Sequence, residues 1–179
     1  MRKAITSLLT LSVISLLVVS ACSDEKKPVE KERPFLGYHV LLDSIIKTKQ
    51  GLFRGLELNA RSKDIFAVER LQPSKKEDNH IVYEYTIDSL TNYLIDYTLN
   101  NDSLEEISLQ VNCKDLELSS YLFCDFKDYY GYRLPNPRED KGYVVYNCVE
   151  GERRPFVVSL SDNSSPNQGI LNLIIYKDK

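Results

Sequence analysis

The sequence predicts an α+β fold, a mainly antiparallel sheet of about six strands with helices on one face. Three observations lead there. Apolar and polar residues alternate through three consecutive runs between residues 81 and 111. Segments with apolar residues three and four apart precede those runs and follow them. The order helix, strand, strand, strand then occurs a second time, predicting a tandem α-β-β-β repeat.

The first element is a helix. Tyr38, Leu41, Leu42, Ile45 and Ile46 fall on one helical face, Lys47 and Lys49 follow near its end, and Gly51 supplies a stop. Leu52 to Leu58 reads as short and extended, with Gly55 available for a bend. A second helix runs to Glu69, with Ser62 as its expected cap, Asp64 near its positive end, and Ile65, Phe66 and Val68 turned inward. The polar stretch from Gln72-Pro73 to Asn79 reads as a loop.

The meander follows. Ile81, Tyr83, Tyr85 and Ile87 share one parity; so do Tyr93, Ile95, Tyr97 and Leu99, and then Ile107, Leu109 and Val111. Asp88-Ser89 and Asn100-Asn101-Asp102 supply the turns. The tyrosines share parity with the aliphatic residues, so their rings are expected against the helices with hydroxyls at the rim.

The second unit opens with a helix expected to be capped at Ser119 or Ser120. Its inward residues are Leu122, Phe123, Phe126 and Tyr130, and Gly131 and Pro135 end it. Strands are expected at Tyr143 to Val149, Phe156 to Leu160 and Ile170 to Tyr176. A shift of 60 residues lays Leu56-Glu57-Leu58 on Leu116-Glu117-Leu118, Phe66 on Phe126 and Tyr83 on Tyr143. The expected halves are about 52–113 and 114–179, within a single domain spanning 35–179.

The N-terminal segment carries an address. Met1-Arg2-Lys3 is cationic and Ile5 to Val19 is mostly apolar, a run too short to cross a bilayer. Val19-Ser20-Ala21-Cys22 then places a cysteine at the small-residue step of a signal peptide spanning 1–21. This resembles the lipobox of bacterial lipoproteins. The resemblance implies cleavage before Cys22 and acylation of its sulfur and new amino group. Two or more chains make a stable anchor. Ser23 resembles the residue that sorts such proteins to the outer membrane, and Asp24-Glu25 resembles the surface-export tag of Bacteroidetes lipoproteins. Residues 22–34, charged and proline-punctuated, read as a lipidated start and flexible tether.

Helix and three-stranded meander in tandem on an anchored chain also resembles the β-lactamase inhibitor protein architecture. A single unit resembles BamE-type outer-membrane lipoproteins. The residues carrying this second resemblance are Gly55 to Ile65, with Asn59 or Ala60 where those proteins have a glycine before the helix. Shared architecture transfers no function.

Composition narrows the partners. The net charge of −3 becomes more negative once Arg2 and Lys3 leave with the leader, and no basic run exceeds two residues, which argues against nucleic acid. Besides Cys22, the chain has Cys113, Cys124 and Cys148, which fit either one disulfide and one thiol or three buried thiols. Only two histidines are present, His39 and His80, too few for an ordinary zinc site. No phosphate loop, nucleophile elbow or His-Glu-x-x-His occurs, so no catalytic residue, cofactor or metal is assigned.

The binding hint is aromatic. Tyr129, Tyr130, Tyr132 and Arg133 crowd one helix end and cannot all face inward, which makes them candidate protein contacts against the alternative of a tyrosine cap over the sheet. Asp43-Ser44-Ile45, Asp88-Ser89-Leu90 and Asp102-Ser103-Leu104 resemble the acceptor used for O-glycosylation of exported Bacteroidetes proteins, which makes Ser44, Ser89 and Ser103 candidate sites. The plain reading is that Asp-Ser makes good turns. The expected function is that of an outer-membrane-anchored, non-enzymatic module binding another protein. The alternatives are an inhibitor or immunity protein against an envelope enzyme, and an enzyme or small-ligand carrier.

Overall fold

Apolar spacing turns into a helix at Val40–Ile46 (α1), where Leu41, Leu42, Ile45 and Ile46 are buried as their three-and-four spacing requires. The structure, a computed structural model, describes residues 40–140, 142–148 and 155–178. Cys22, the leader, the tether and His39 lie outside the described residues. After α1 come α2 (Ser62–Glu69), β1 (Lys75–Lys76), β2 (His80–Thr86), β3 (Thr91–Asn100) and β4 (Ser103–Cys113). The chain continues through α3 (Leu116–Arg133), β5 (Arg138–Asp140), β6 (Tyr143–Cys148), β7 (Phe156–Asp162) and β8 (Gly169–Lys177).

All neighbouring strands are antiparallel, and the described strands form one open sheet in the order β1-β2-β3-β4-β8-β7-β6-β5. The expected count of about six is therefore corrected to eight. The additional strands, β1 and β5, are two and three residues long, charged and exposed. They protect the sheet edges and bury nothing, so no alternation marks them in the sequence. The two meanders join through their last strands, with Ile107 opposite Ile175, Leu109 opposite Leu173 and Val111 opposite Leu171.

Turn chemistry sets the register. Asn101 and Asp102 both have positive φ, at 50° and 60°, and join Asn100 to Ser103 in a two-residue hairpin loop. Paired left-handed residues match the strand twist, and Asn and Asp tolerate that conformation. The expected turn thus has a physical cause.

The capping expectations need correction. The cap of α2 is Arg61, whose N–H donates to the Asp64 carboxylate at 2.9 Å; the Ser62 N–H donates instead to Asp102 at 3.1 Å. In α3 the cap is Asp115, which accepts from the N–H groups of Glu117 at 2.9 Å and Leu118 at 3.1 Å. The helix also continues through Gly131 to Arg133. In α3 the carboxylate of Asp115 out-competes Ser119 and Ser120 because it satisfies two orphan N–H groups and sits in the favourable end of the helix dipole.

The core lies between the sheet and the helices. Ile81, Tyr83, Ile95, Tyr97, Leu109, Val158 and Leu173 face Ile45, Ile65, Leu122 and Phe126 across one apolar layer. Helix α3 contacts β4, β6, β7, β8 and α1. The 60-residue shift fails as a residue-by-residue guide. Tyr83 is 1 % exposed and Tyr143 is 51 % exposed, so the two belong to opposite faces. A slip of one residue reverses every side chain in a strand.

Helix and sheet approach closely at Gly169 and Ser119. A Cβ added at Gly169 would lie 2.3 Å from the Ser119 Cβ and 2.5 Å from its Oγ. Gly169→Ala is expected to cost about 1–3 kcal/mol through overpacking. Adding Ser119→Gly in the same chain is expected to return part of that loss. Urea denaturation of the two variants checks both statements, and equal stability of Gly169→Ala and the parent would refute them.

Candidate functional site

The chain reverses sharply after α1. Arg54 and Gly55 both have positive φ, at 51° and 83°, and the turn is closed by Leu56 N–H donating to the Phe53 carbonyl at 2.9 Å. An arginine in left-handed backbone is strained. Its compensation is where the side chain goes. The guanidinium is buried and every one of its nitrogens is used. Nε donates to the Ile45 carbonyl at 2.6 Å, one terminal nitrogen to Glu69 Oε2 at 2.5 Å and the other to the Tyr93 hydroxyl at 2.7 Å. Ile45 lies in the last turn of α1, where carbonyls lack helical partners and a cation is favoured.

Glu69 is the last residue of α2 and is also buried. Four groups donate to it. Arg54, Lys47 and the Tyr85 hydroxyl reach Oε2, with the Lys47 Nζ at 3.1 Å, and the Tyr97 hydroxyl reaches Oε1. The Tyr85 and Tyr93 rings stack at 4.7 Å, and the guanidinium carbon of Arg54 lies 4.7 Å from the Tyr85 centroid. Tyr83 meets Tyr97 edge to face at 6.1 Å, but its own buried hydroxyl has no hydrogen-bond partner among the described residues.

Burial alone would push the Glu69 carboxyl upward. The Arg54 guanidinium, the Tyr85 and Tyr97 hydroxyls and Lys47 together outweigh it, and the group is held below the usual carboxylate range. Burial likewise opposes the charge on Arg54, and Glu69 together with Tyr93, Tyr97 and Tyr85 overcomes it and raises the guanidinium. Lys47 is lowered, first by burial and then by the Arg54 charge, with Glu69 opposing. Tyr97 is pushed well above the ordinary phenol, by burial first and then by the Glu69 charge. Arg54, Lys47, Tyr85 and Tyr97 thus form a cluster converging on one carboxylate. Its chemistry is that of a clasp joining α1, the 51–56 turn, α2, β2 and β3.

Past Glu69 the chain turns outward. Arg70 has φ of 55° and caps α2 by donating its N–H to the Phe66 carbonyl at 3.2 Å. Next to it a cleft of about 730 Å³ is lined by Phe66, Arg70, Leu71, Gln72, Pro73 and Lys76. The Lys76 Nζ stands 4.9 Å from the Phe66 ring centroid.

The residues singled out in the sequence are dispersed. Tyr129 and Tyr130 are inside, 3 % and 1 % exposed, and Tyr130 donates to the Leu52 carbonyl at 3.2 Å. Tyr132, at 41 %, and Arg133 are at the surface, with Arg133 donating to the Tyr129 hydroxyl and the Gly51 carbonyl. Ser89 lies exposed in the β2–β3 turn and Ser103 half-buried at the start of β4. Ser44 is exposed on α1, where its hydroxyl donates to the Leu41 carbonyl at 2.8 Å. Cys113, Cys124 and Cys148 are free thiols, buried, exposed and half-buried respectively, so neither the disulfide nor the trio of buried thiols is found. His80 reaches Asp96 at 3.1 Å on the strand face turned from the helices. Among the described residues no three potential metal ligands cluster.

Sequence reasoning missed Arg54 and Glu69 and placed the tyrosine hydroxyls at the rim. A signal for Glu69 exists. It stands four residues after Ile65, on the same inward stripe of α2.

Arg54→Met is expected to cost about 3–5 kcal/mol because it strands a buried carboxylate, whereas Arg54→Met combined with Glu69→Leu should recover much of the loss. A double-mutant cycle in urea measures this, and additive costs would contradict it. Tyr97→Phe should cost about 1.5–3 kcal/mol, whereas Tyr83→Phe, which removes a hydroxyl without a hydrogen-bond partner among the described residues, should be neutral or stabilising. Because the folded Glu69 is lowered, its contribution is complete above the unfolded carboxyl pKa and is lost as pH falls through the folded value. Stability of the parent should therefore fall more steeply under acid than that of Glu69→Gln, as urea midpoints across the acid range would show. Compared with known proteins, the chain matches no family model, no curated protein and no solved structure.

Proposed function

We propose that the chain is a membrane-held, non-enzymatic module that binds a folded protein at the cell envelope. Cleavage before Cys22 and acylation of that residue anchor it at the outer membrane, and residues 23–34 act as its tether. In this reading the two α-β-β-β halves, α2 with β2–β4 and α3 with β6–β8, are a tandem repeat. The mirrored strand order around β4 and β8 favours that view.

The observation that carries the proposal is the sheet face turned from the helices. One row across it runs Val82, Asp96, Ser108, Ile174, Ser159 and Val145, and the next runs Glu84, Leu94, Gln110, Asn172, Ser161 and Tyr143. These side chains are exposed or half-buried, Ser161 apart. Aliphatic, amide and hydroxyl groups alternate there with few charges. That composition suits the core of a protein interface, where charge is depleted, better than a solvated face does. The buried ionic groups, by contrast, face the helices and are spent on one another.

Two measurements test the reading. A photo-crosslinking side chain at Gln110 is expected to trap a reproducible protein adduct in cells, and Ile174→Glu should abolish it; no adduct would sink the binding function. Intact mass should show acylation lost in Cys22→Ala, and an unmodified N-terminal mass would reject the anchor. The same spectrum reads any hexose on Ser44, Ser89 or Ser103.

A further inference from the structure

We propose that the cleft between the end of α2 and the β1 edge is a binding site for an anionic group carried on an apolar body. Its volume of about 730 Å³ falls within the range of small-ligand sites. The lining divides into two chemistries. Phe66, Leu71 and Pro73 offer apolar surface, and Arg70 and Lys76 bring two cations, with no carboxylate among the lining residues. Leu71 is largely exposed and so leaves apolar area uncovered at the mouth.

The electrostatics favour an anion for a second reason. The nearest buried carboxylate, Glu69, already serves Arg54 and Lys47 and accepts from two tyrosines. It has little left to offer Arg70. The Arg70 charge is close enough to Lys47 to help lower that amine. Arg54 and Lys47 thus take up the buried carboxylate next to Arg70, in a chain of net negative charge. Lys75 is paired with Glu77 at 3.0 Å, whereas Lys76 lies over the Phe66 ring, a position that presents its ammonium beside an aromatic wall. A carboxylate, sulfonate or phosphate between Arg70 and Lys76 would relieve the excess while its apolar portion covers Phe66 and Leu71.

The test is calorimetric titration of naphthalene-2-sulfonate into the full chain in a nonionic detergent, against a matched detergent blank. Saturable binding is expected, weakened about tenfold or more in Arg70→Gln and in Lys76→Glu. It should persist in Lys114→Glu, at the opposite end of the sheet. Unchanged melting temperatures establish that the variants are folded. Neutral 2-naphthylmethanol should bind at least about tenfold more weakly. Displacement of the sulfonate by dihexanoyl phosphatidate would assign the site to lipid headgroups, and sulfonate binding without displacement would assign it to free amphipathic anions. No saturable heat, equal affinity in the Arg70 and Lys76 variants, or equal binding of the neutral analogue would overturn the proposal. None of these readouts depends on the protein-binding role of the sheet face.

Discussion

The ion pair between Arg54 and Glu69 is the constraint on which the first half of the molecule depends. Taking both charges out of water costs several kcal/mol each, and their attraction repays this only where the remaining polar positions are also filled. Here they are. Arg54 spends its nitrogens on Ile45, Glu69 and Tyr93, and Glu69 accepts from four groups. The elements so joined are individually weak, since α1 and α2 have seven and eight residues, below the length at which isolated helices persist. An apolar contact would hold them loosely in several orientations. A network whose donors converge on one buried carboxylate admits few arrangements, so its contribution is to uniqueness of packing more than to net stability.

The second half is held together differently. Helix α3 has eighteen residues and lies on β7 and β8 through Leu122, Phe126 and the contact of Ser119 with Gly169. Its polar anchors include single hydrogen bonds in its second half, such as Tyr130 to the Leu52 carbonyl and the Tyr146 hydroxyl to the Lys127 carbonyl at 2.7 Å. Burial pushes the Tyr146 phenol up to about 12, so it remains a donor at any ordinary pH. Length and apolar area do for α3 what the ionic clasp does for α2.

This difference explains how much of the protein could be read in the sequence. The six long strands, the three helices and the inward parity of Tyr83, Tyr93 and Tyr97 are legible because alternation and three-and-four spacing directly report which face is buried. The edge strands are not, because β1 and β5 bury nothing. The cap of α3 is misread because Ser119 is a good cap locally, whereas Asp115 before it accepts from two N–H groups. The clasp is the least legible feature. Arg54 looks like a solvated cation beside a glycine, and Glu69 like an exposed helix end. Only the meeting of residues 15 positions apart with tyrosines from two strands makes them a buried pair. Composition can suggest that buried tyrosines will need partners for their hydroxyls. It cannot say which charges will supply them.

The end of α2 shows how the clasp shapes the surface beside it. Glu69 must point inward to meet Arg54, so the chain has to reverse within one residue to leave the core. Arg70 does this by adopting left-handed backbone, which ends the helix and turns its own side chain to solvent. The following Leu71-Gln72-Pro73 then travels outward before β1 brings the chain back to the sheet edge, and the space between outward and returning chain is the cleft. A glycine would be the easier residue in that conformation. Arginine there places a guanidinium on the rim of the cleft, adjacent in sequence to the carboxylate that holds the fold together. A substitution that loosened Glu69 would therefore disturb the cleft as well as the core, and the two can be separated only by changing Arg70 and Lys76, whose side chains lie outside the clasp.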